Sequence, residues 1–276
     1  MRDNDTAQLA WQAWRALSPT PPVMTLQESL QAVPADRWPG PDDWTGAAQA
    51  YGVCNLRRQA ISFVAPSQPP LSALNFEQRI HDRGEVETRA ACWHDAFHAC
   101  AWLGFPLTKA RINALHVAHG ADASPNLRGA VRNMLTLLDE GGLLVVSRSL
   151  ELLDLVRGFR WHELFWQQRA AVRESMDFII LGHALYERTL TMEYGATGRA
   201  LLFAADDNYF ASGMAARLRW LDAQVAALLD NGARLAACTV LQPVPINGIP
   251  GWNADNEIED YYRDQRQFSP GRRQAA

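Results

Sequence analysis

The chain is almost devoid of lysine: among 26 basic residues only Lys109 is one, and the others are arginine. That bias points to no function, although arginine does offer carboxylates a planar, bidentate partner. A basic excess is also missing. The net charge is −4, which argues against general nucleic-acid binding, because neutralising phosphates needs a basic surface. Arginines such as Arg57, Arg58, Arg128, Arg132, Arg272 and Arg273 could be weighed for such a role, but nucleic acid is not an expected partner. No apolar run approaches the roughly 20 residues that span a bilayer, since Phe178–Leu181 is interrupted by Gly182 and His183. The opening MRDNDTAQ is acidic and polar and has no signal-like basic flank, so a cytoplasmic location away from membranes is expected. The four cysteines, Cys54, Cys92, Cys100 and Cys238, show no CxxC spacing and sit among apolar neighbours. They read as buried free thiols rather than zinc ligands or disulfides. A glycine-rich nucleotide loop, a GxSxG elbow and a zinc-protease HExxH are all absent.

What is present is the composition of an ordinary folded protein, 48% hydrophobic and 20% charged over 276 residues. One main core with an appended arm is expected. The apolar spacing predicts a short helix over 7–17, stopped by SPTPP, then an irregular Pro- and Trp-rich arm to residue 70 with a strand at QAISFVA. A buried helix is predicted over 88–103, N-capped by Thr88, and a second from Pro106 to Gly120. MLTLLDEGGLLVVS reads as a β-hairpin over 134–147 turning at Asp139–Gly142. Helices are predicted over 150–157, 161–191 and 208–229, the last capped by Asn231-Gly232, with strands at RALLFAA and LAACTVLQ. The fold class expected is α+β, mostly α-helical, with a small antiparallel sheet around the hairpin covered by helices on one side. The expected organisation is an arm (1–70), a main helical domain (71–242) and an extended Pro- and aromatic-rich tail (243–276) packing on the body.

Two clusters could carry chemistry. His94 and His98 lie four residues apart on one predicted helix, so they project from the same face and could grip a divalent metal ion. Asp95, one residue from that line, suits a supporting partner or a general base better than a third ligand. His183 and Glu187 have the same spacing in an otherwise apolar stretch, and if buried each needs a partner: one another, an arginine or a metal. Lys109, Asn113 and His116 fall on one stripe that either lines a polar cleft or faces water, with water the favoured reading for Lys109. Arg79 and Arg89 could bind an anion, but Glu77 and Glu87 stand ready to neutralise them. Asp139-Glu140 is read as turn chemistry at a hairpin tip, not as a carboxylate pair for acid–base work.

Ordered phrases run through the sequence: FEQRI, then TR, WHDAFHACAWLGFPLTKARINALH, LTLLDEGG, GHALYE and PVPINGIPGWNADNE. Together, from Phe76 to Pro270, they resemble the domain-of-unknown-function 3025 family of proteobacterial proteins (DUF3025). The resemblance implies relatives and supplies no activity. The family pattern is matched at Glu77, Arg79, Thr88, Arg89, His94, Asp95, Lys109, Asn113, His116, Asp139, Glu140, His183 and Glu187. The chain departs from it at His98, where the resemblance implies asparagine, and that shifts attention from a two-histidine clamp to His94 and Asp95 facing His183 and Glu187. His94-Asp95 also resembles the doublet of HD-superfamily phosphohydrolases, for which His81 and Asp177 are nominal further ligands.

Two readings follow. In the first, His94, Asp95, His183 and Glu187 are catalytic in a pocket between two buried helices, with Arg89, Lys109, Asn113 and His116 binding a small-molecule substrate. The protein would then be a metal-dependent or acid–base hydrolase, a phosphate or acyl ester being the default substrate. In the second, the same groups form a buried network in a non-catalytic protein whose partner is another protein.

Overall fold

The computed structural model describes residues 10–16, 21–121, 125–231 and 241–271. Its centre is the strand Gly142–Ser147 (β1), all six residues of which are buried. An all-apolar run of this kind needs cover on both faces. Leu143 and Val145 point into one core with Phe97, Trp102, Leu185 and Tyr186, while Leu144 and Val146 point into another with Leu135, Leu138, Leu221 and Val225. The expected cover on one side is thereby corrected to cover on both.

Three further strands complete the sheet: Met176–Ile180 (β2), Thr197–Ala204 (β3) and Gln242–Pro245 (β4), in the order β2-β1-β3-β4. The sheet is mixed, with β1 antiparallel to β2 but parallel to β3, and β4 antiparallel to β3. A separate parallel pair joins Ser62–Val64, within the predicted QAISFVA strand, to Glu85–Glu87. The surroundings are mostly helical, so the α+β class holds. The helices used below are Ala73–Arg83 (α1), Trp93–Gly104 (α2), Pro106–Ala121 (α3), Pro125–Gly141 (α4), His183–Thr189 (α5) and Met214–Leu229 (α6).

The hairpin over 134–147 is not formed. Residues 134–141 are the end of α4, and Asp139-Glu140 sits on its last turn. Val131, Met134, Leu135 and Leu138 recur at helical spacing and are buried against the sheet, and that tertiary burial outweighs the turn propensity of Asp-Glu-Gly-Gly. The predicted helix over 161–191 is likewise divided, because the β-favouring Met176–Ile180 pairs with β1 and α5 begins only after Gly182. The 208–229 helix is two, Asp207–Ala211 and α6, separated by extended backbone at Ser212 and Gly213. Thr88 does not cap α2. Its amide bonds to Val64 at the end of the small parallel pair, and Cys92 takes the N-cap position. Residues 150–157, 106–121 and 10–16 are helical as predicted where described, and RALLFAA lies in β3. Most of LAACTVLQ, together with Gly232 and Cys238, lies outside the described residues. Cys100 is buried, whereas Cys54 and Cys92 are only half-buried; all three are free thiols. Trp252, Tyr262 and Phe268 of the C-terminal segment are buried in the same core as Phe97 and Tyr186. No helix among the described residues is long and apolar enough to cross a membrane.

The β1–β2 register positions the rest. Leu143 pairs with Ile180 at the end of the ladder, so the last turn of α4 and the first turn of α5 lie together at that end of the sheet, with Glu140 Oε2 3.5 Å from His183 Nε2. The amides of Leu181 and Gly182 both bond to the Gly142 carbonyl, drawing the chain tightly over the α4–β1 junction. A Cβ on Gly182 would lie 2.3 Å from Gly142 N and 2.5 Å from Glu140 O, so only glycine fits. Gly182→Ala is expected to destabilise the fold by about 3 kcal/mol, the upper end for overpacking, because backbone rather than side chain must yield. Chemical denaturation of the two proteins checks this.

Candidate functional site

Helix α2 packs beside α5, with Phe97 stacked on Tyr186 at a ring-centroid distance of 5.5 Å. The Tyr186 hydroxyl donates to the Ile180 carbonyl (2.9 Å) and contacts the Thr25 hydroxyl at 2.6 Å, which fixes that ring. One turn back on each helix, His94 and His183 meet edge to face, with ring centroids 4.4 Å apart. On the other side of Phe97, a cluster of Trp11, Trp14, Trp38 and Trp93 braces the start of α2.

The two imidazoles meet through their Nε2 atoms, 3.0 Å apart. His94 Nδ1 faces Glu187 Oε2 at 3.4 Å. His183 Nδ1 is buried without a hydrogen-bond partner, its nearest carboxylate oxygen being Asp139 Oδ2 at 4.0 Å. Glu140 Oε2 stands 3.5 Å from His183 Nε2. His98 lies against the other side of His183, with centroids 4.7 Å apart. Among the described residues, two groups of side chains could therefore hold a metal ion, His94 with Glu140 and His183, and His98 with Asp139 and His183. His94 and His98 fall in different groups, and His183 belongs to both. Neither His81 nor Asp177 joins a group among the described residues, and Asp177 is bound instead to Arg217 at 2.9 Å.

The other charged residues are arranged in pairs. Arg89 binds Asp95 through Nε (2.9 Å), NH2 (2.7 Å) and its backbone amide (2.6 Å), and these contacts hold the Asp95 carboxyl below its ordinary value despite its burial. Arg79 takes Glu85 and Glu87 at 2.6 and 2.8 Å. Glu77 pairs with neither arginine. Its Oε2 accepts from Asn113 Nδ2 at 2.7 Å, and burial pushes the carboxyl up to about 7. Lys109 does not face water: it is 3% exposed, ion-paired to Asp139 and 5.7 Å from the Trp102 ring centroid. Burial alone would raise Asp139, but the positive charge of Lys109 and the neighbouring His183 and His98 hold it well below the usual carboxylate range. Burial pushes His183 down to about 4, His98 well below its ordinary value, and His116 down.

A cavity of about 730 Å³ opens over these groups. His94, His98, His183, Asp139 and Glu140 face it at one end, and Glu77, Asp95, Arg89, His116, Arg132 and Thr136 line its sides with an apolar wall that includes Leu71 and Phe76. Glu187, Lys109 and Asn113 stand behind this lining. Sequence reasoning had set Asp139, Glu140 and Glu77 aside. The helical spacing through Leu138 was the signal for the first two; nothing local marks Glu77, whose environment is made by α3.

Replacing Lys109 leaves a buried carboxylate unpaired. Lys109→Met is expected to cost about 3–5 kcal/mol at neutral pH, much of it recovered in the double variant Lys109→Met/Asp139→Leu. Denaturation of the four proteins of that cycle measures it.

No curated protein and no solved structure matches the chain at a significant level. One family does: residues 61–272 match the family described as "Protein of unknown function (DUF3025)". That span takes in the small parallel pair, the whole of the sheet and every side chain of the cavity floor, and the chain is a member of the DUF3025 family.

Proposed function

We propose that the protein is a divalent-metal-dependent hydrolase whose ion is held by His94 Nε2, His183 Nε2 and Glu140, with a remaining coordination position open to the cavity. The observation that carries this reading is the contact between the two Nε2 atoms. Each neutral imidazole has one N–H. If both rings direct it from Nδ1 toward Glu187 and Asp139, two lone pairs confront each other at 3.0 Å. If His94 turns its N–H into the gap, its bare Nδ1 faces Glu187 at 3.4 Å; if His183 does so, its own Nδ1 is left bare and buried, 4.0 Å from Asp139. A cation between the Nε2 atoms resolves both conflicts, and unlike an added proton it also takes Glu140 as a ligand.

The dimensions agree. With metal–nitrogen bonds of about 2.0–2.1 Å, neighbouring ligands of a tetrahedral zinc lie about 3.3 Å apart, close to the 3.0 and 3.5 Å separations here. Glu187 would then accept from the distal nitrogen of His94, the arrangement that fixes ligand tautomer and orientation, while the distal nitrogen of His183 is turned toward Asp139, 4.0 Å away. Two histidines and a glutamate with an open position suit zinc hydrolysis, in which the ion lowers the pKa of bound water to about 7. Arg89, Asp95, Lys109 and Asn113 serve as the frame.

Metal analysis of protein purified without chelators tests the reading. About one equivalent of zinc or another redox-inert divalent ion is expected, and it should be lost in His183→Gln and Glu140→Gln with the fold intact. Hydrolysis of p-nitrophenyl esters should disappear with chelation and return with the ion. Absence of a stoichiometric ion from the wild type would sink the proposal, and stoichiometric iron would redirect it to oxygen chemistry, for which the same ligand set is suited.

A further inference from the structure

The carboxylates lining the cavity can be taken one at a time. Glu87 is neutralised by Arg79 at 2.8 Å, Asp95 by Arg89 at 2.7 Å and Asp139 by Lys109. Glu140 stands 3.5 Å from His183 Nε2 in the proposed ligand set. Glu77 alone among these cavity carboxylates has neither a cationic partner nor a place in the ligand set; its hydrogen bonds come from the uncharged Asn113 amide, which reaches both Oε2 (2.7 Å) and the Glu77 backbone carbonyl (2.8 Å). Asn113 is itself buried, and its Oδ1 has no hydrogen-bond partner. That amide holds the Glu77 side chain without neutralising it. Lys109 and Asn113 are one turn apart on α3, about 6 Å along the axis, and Lys109 grips Asp139, the neighbour of Glu140. The Glu77 side chain lines the same cavity as His94, His183 and Glu140.

We infer that Glu77 is the proton carrier of the hydrolysis: a carboxylate left unpaired in the cavity wall to take a proton from the metal-held water and return it to the leaving group. The inference rests on the metal reading above and assigns a residue outside the ligand set. For an acyl ester, the water oxygen forms a bond to the carbonyl carbon as its proton passes to Glu77, and the carbonyl electron pair moves onto oxygen. When that pair returns, the bond to the ester oxygen breaks and the proton on Glu77 passes to the departing alkoxide. The carboxylate is restored, and no oxidant or further reactant is needed. The carboxyl, pushed up to about 7, accepts and gives up a proton near neutrality. The charged groups that face it are Lys109 from α3 and Asp139 from α4, and His98 and His116 line the same cavity.

Glu77→Gln keeps the shape and the bond from Asn113 while removing the base. In zinc-loaded protein, the kcat for p-nitrophenyl acetate is expected to fall by about 10²–10⁴-fold, with KM and bound zinc unchanged. Infrared titration gives a second readout that needs no substrate: the wild type should show a protonated-carboxyl band that titrates near neutrality and is absent from Glu77→Gln. Unchanged rate and identical infrared titrations in a metal-loaded variant would overturn the role of Glu77 while leaving the metal centre standing. Failure of both proteins to bind metal would overturn the centre and this role with it.

Discussion

The pairing of β1 with β2 is the constraint on which the arrangement depends. Because α4 runs into β1 with no loop, and β2 leaves the sheet through Gly182 straight into α5, the register of two buried strands also sets the register of two helix ends. Hydrophobic burial on both faces of β1 fixes that register, since a slip of one residue would exchange the contents of the two cores. Polar geometry is thus specified by apolar packing. Asp139 and Glu140 arrive opposite His183 whatever their own preferences, and the Phe97–Tyr186 stack brings His94 to the same place from α2.

Around that point the electrostatics divide into satisfied and unsatisfied parts. Arg89 with Asp95, Arg79 with Glu87 and Lys109 with Asp139 are closed pairs, and a closed pair tolerates partial burial. The imidazole contact, the orphaned His183 Nδ1 and the uncompensated Glu77 carboxylate are open. Conflicts of this kind disfavour a fold taken by itself, and all three lie on or beside one cavity, where a ligand would relieve them.

Much of this frame was legible in the residues. The break at Phe105-Pro106, the β3 run and the helix over 150–157 all rest on local chemistry that tertiary structure did not override. The failures share one cause. Asp139-Glu140-Gly141-Gly142 carries the composition of a turn, but burial of Leu135 and Leu138 decides for helix; Lys109 carries the composition of a surface, but Asp139 holds it inside. Glu77 was matched with arginines because they are near in sequence, whereas its partner Asn113 belongs to another helix. Spacing along the chain exposes same-helix pairs such as His94 with His98. It is silent on pairs made by packing; His94 was expected to face His183 because ionisable groups in two apolar segments each need a partner, not because of their spacing.

The burial of Lys109 has a consequence for the chain as a reactant. It is the sequence's single lysine, and it lies against the Trp102 ring with its ammonium on Asp139. The folded protein therefore presents no side-chain primary amine to its surroundings, and acylating reagents, aldehyde cross-linkers and enzymes that build isopeptide bonds find a lysine target only once the core has opened.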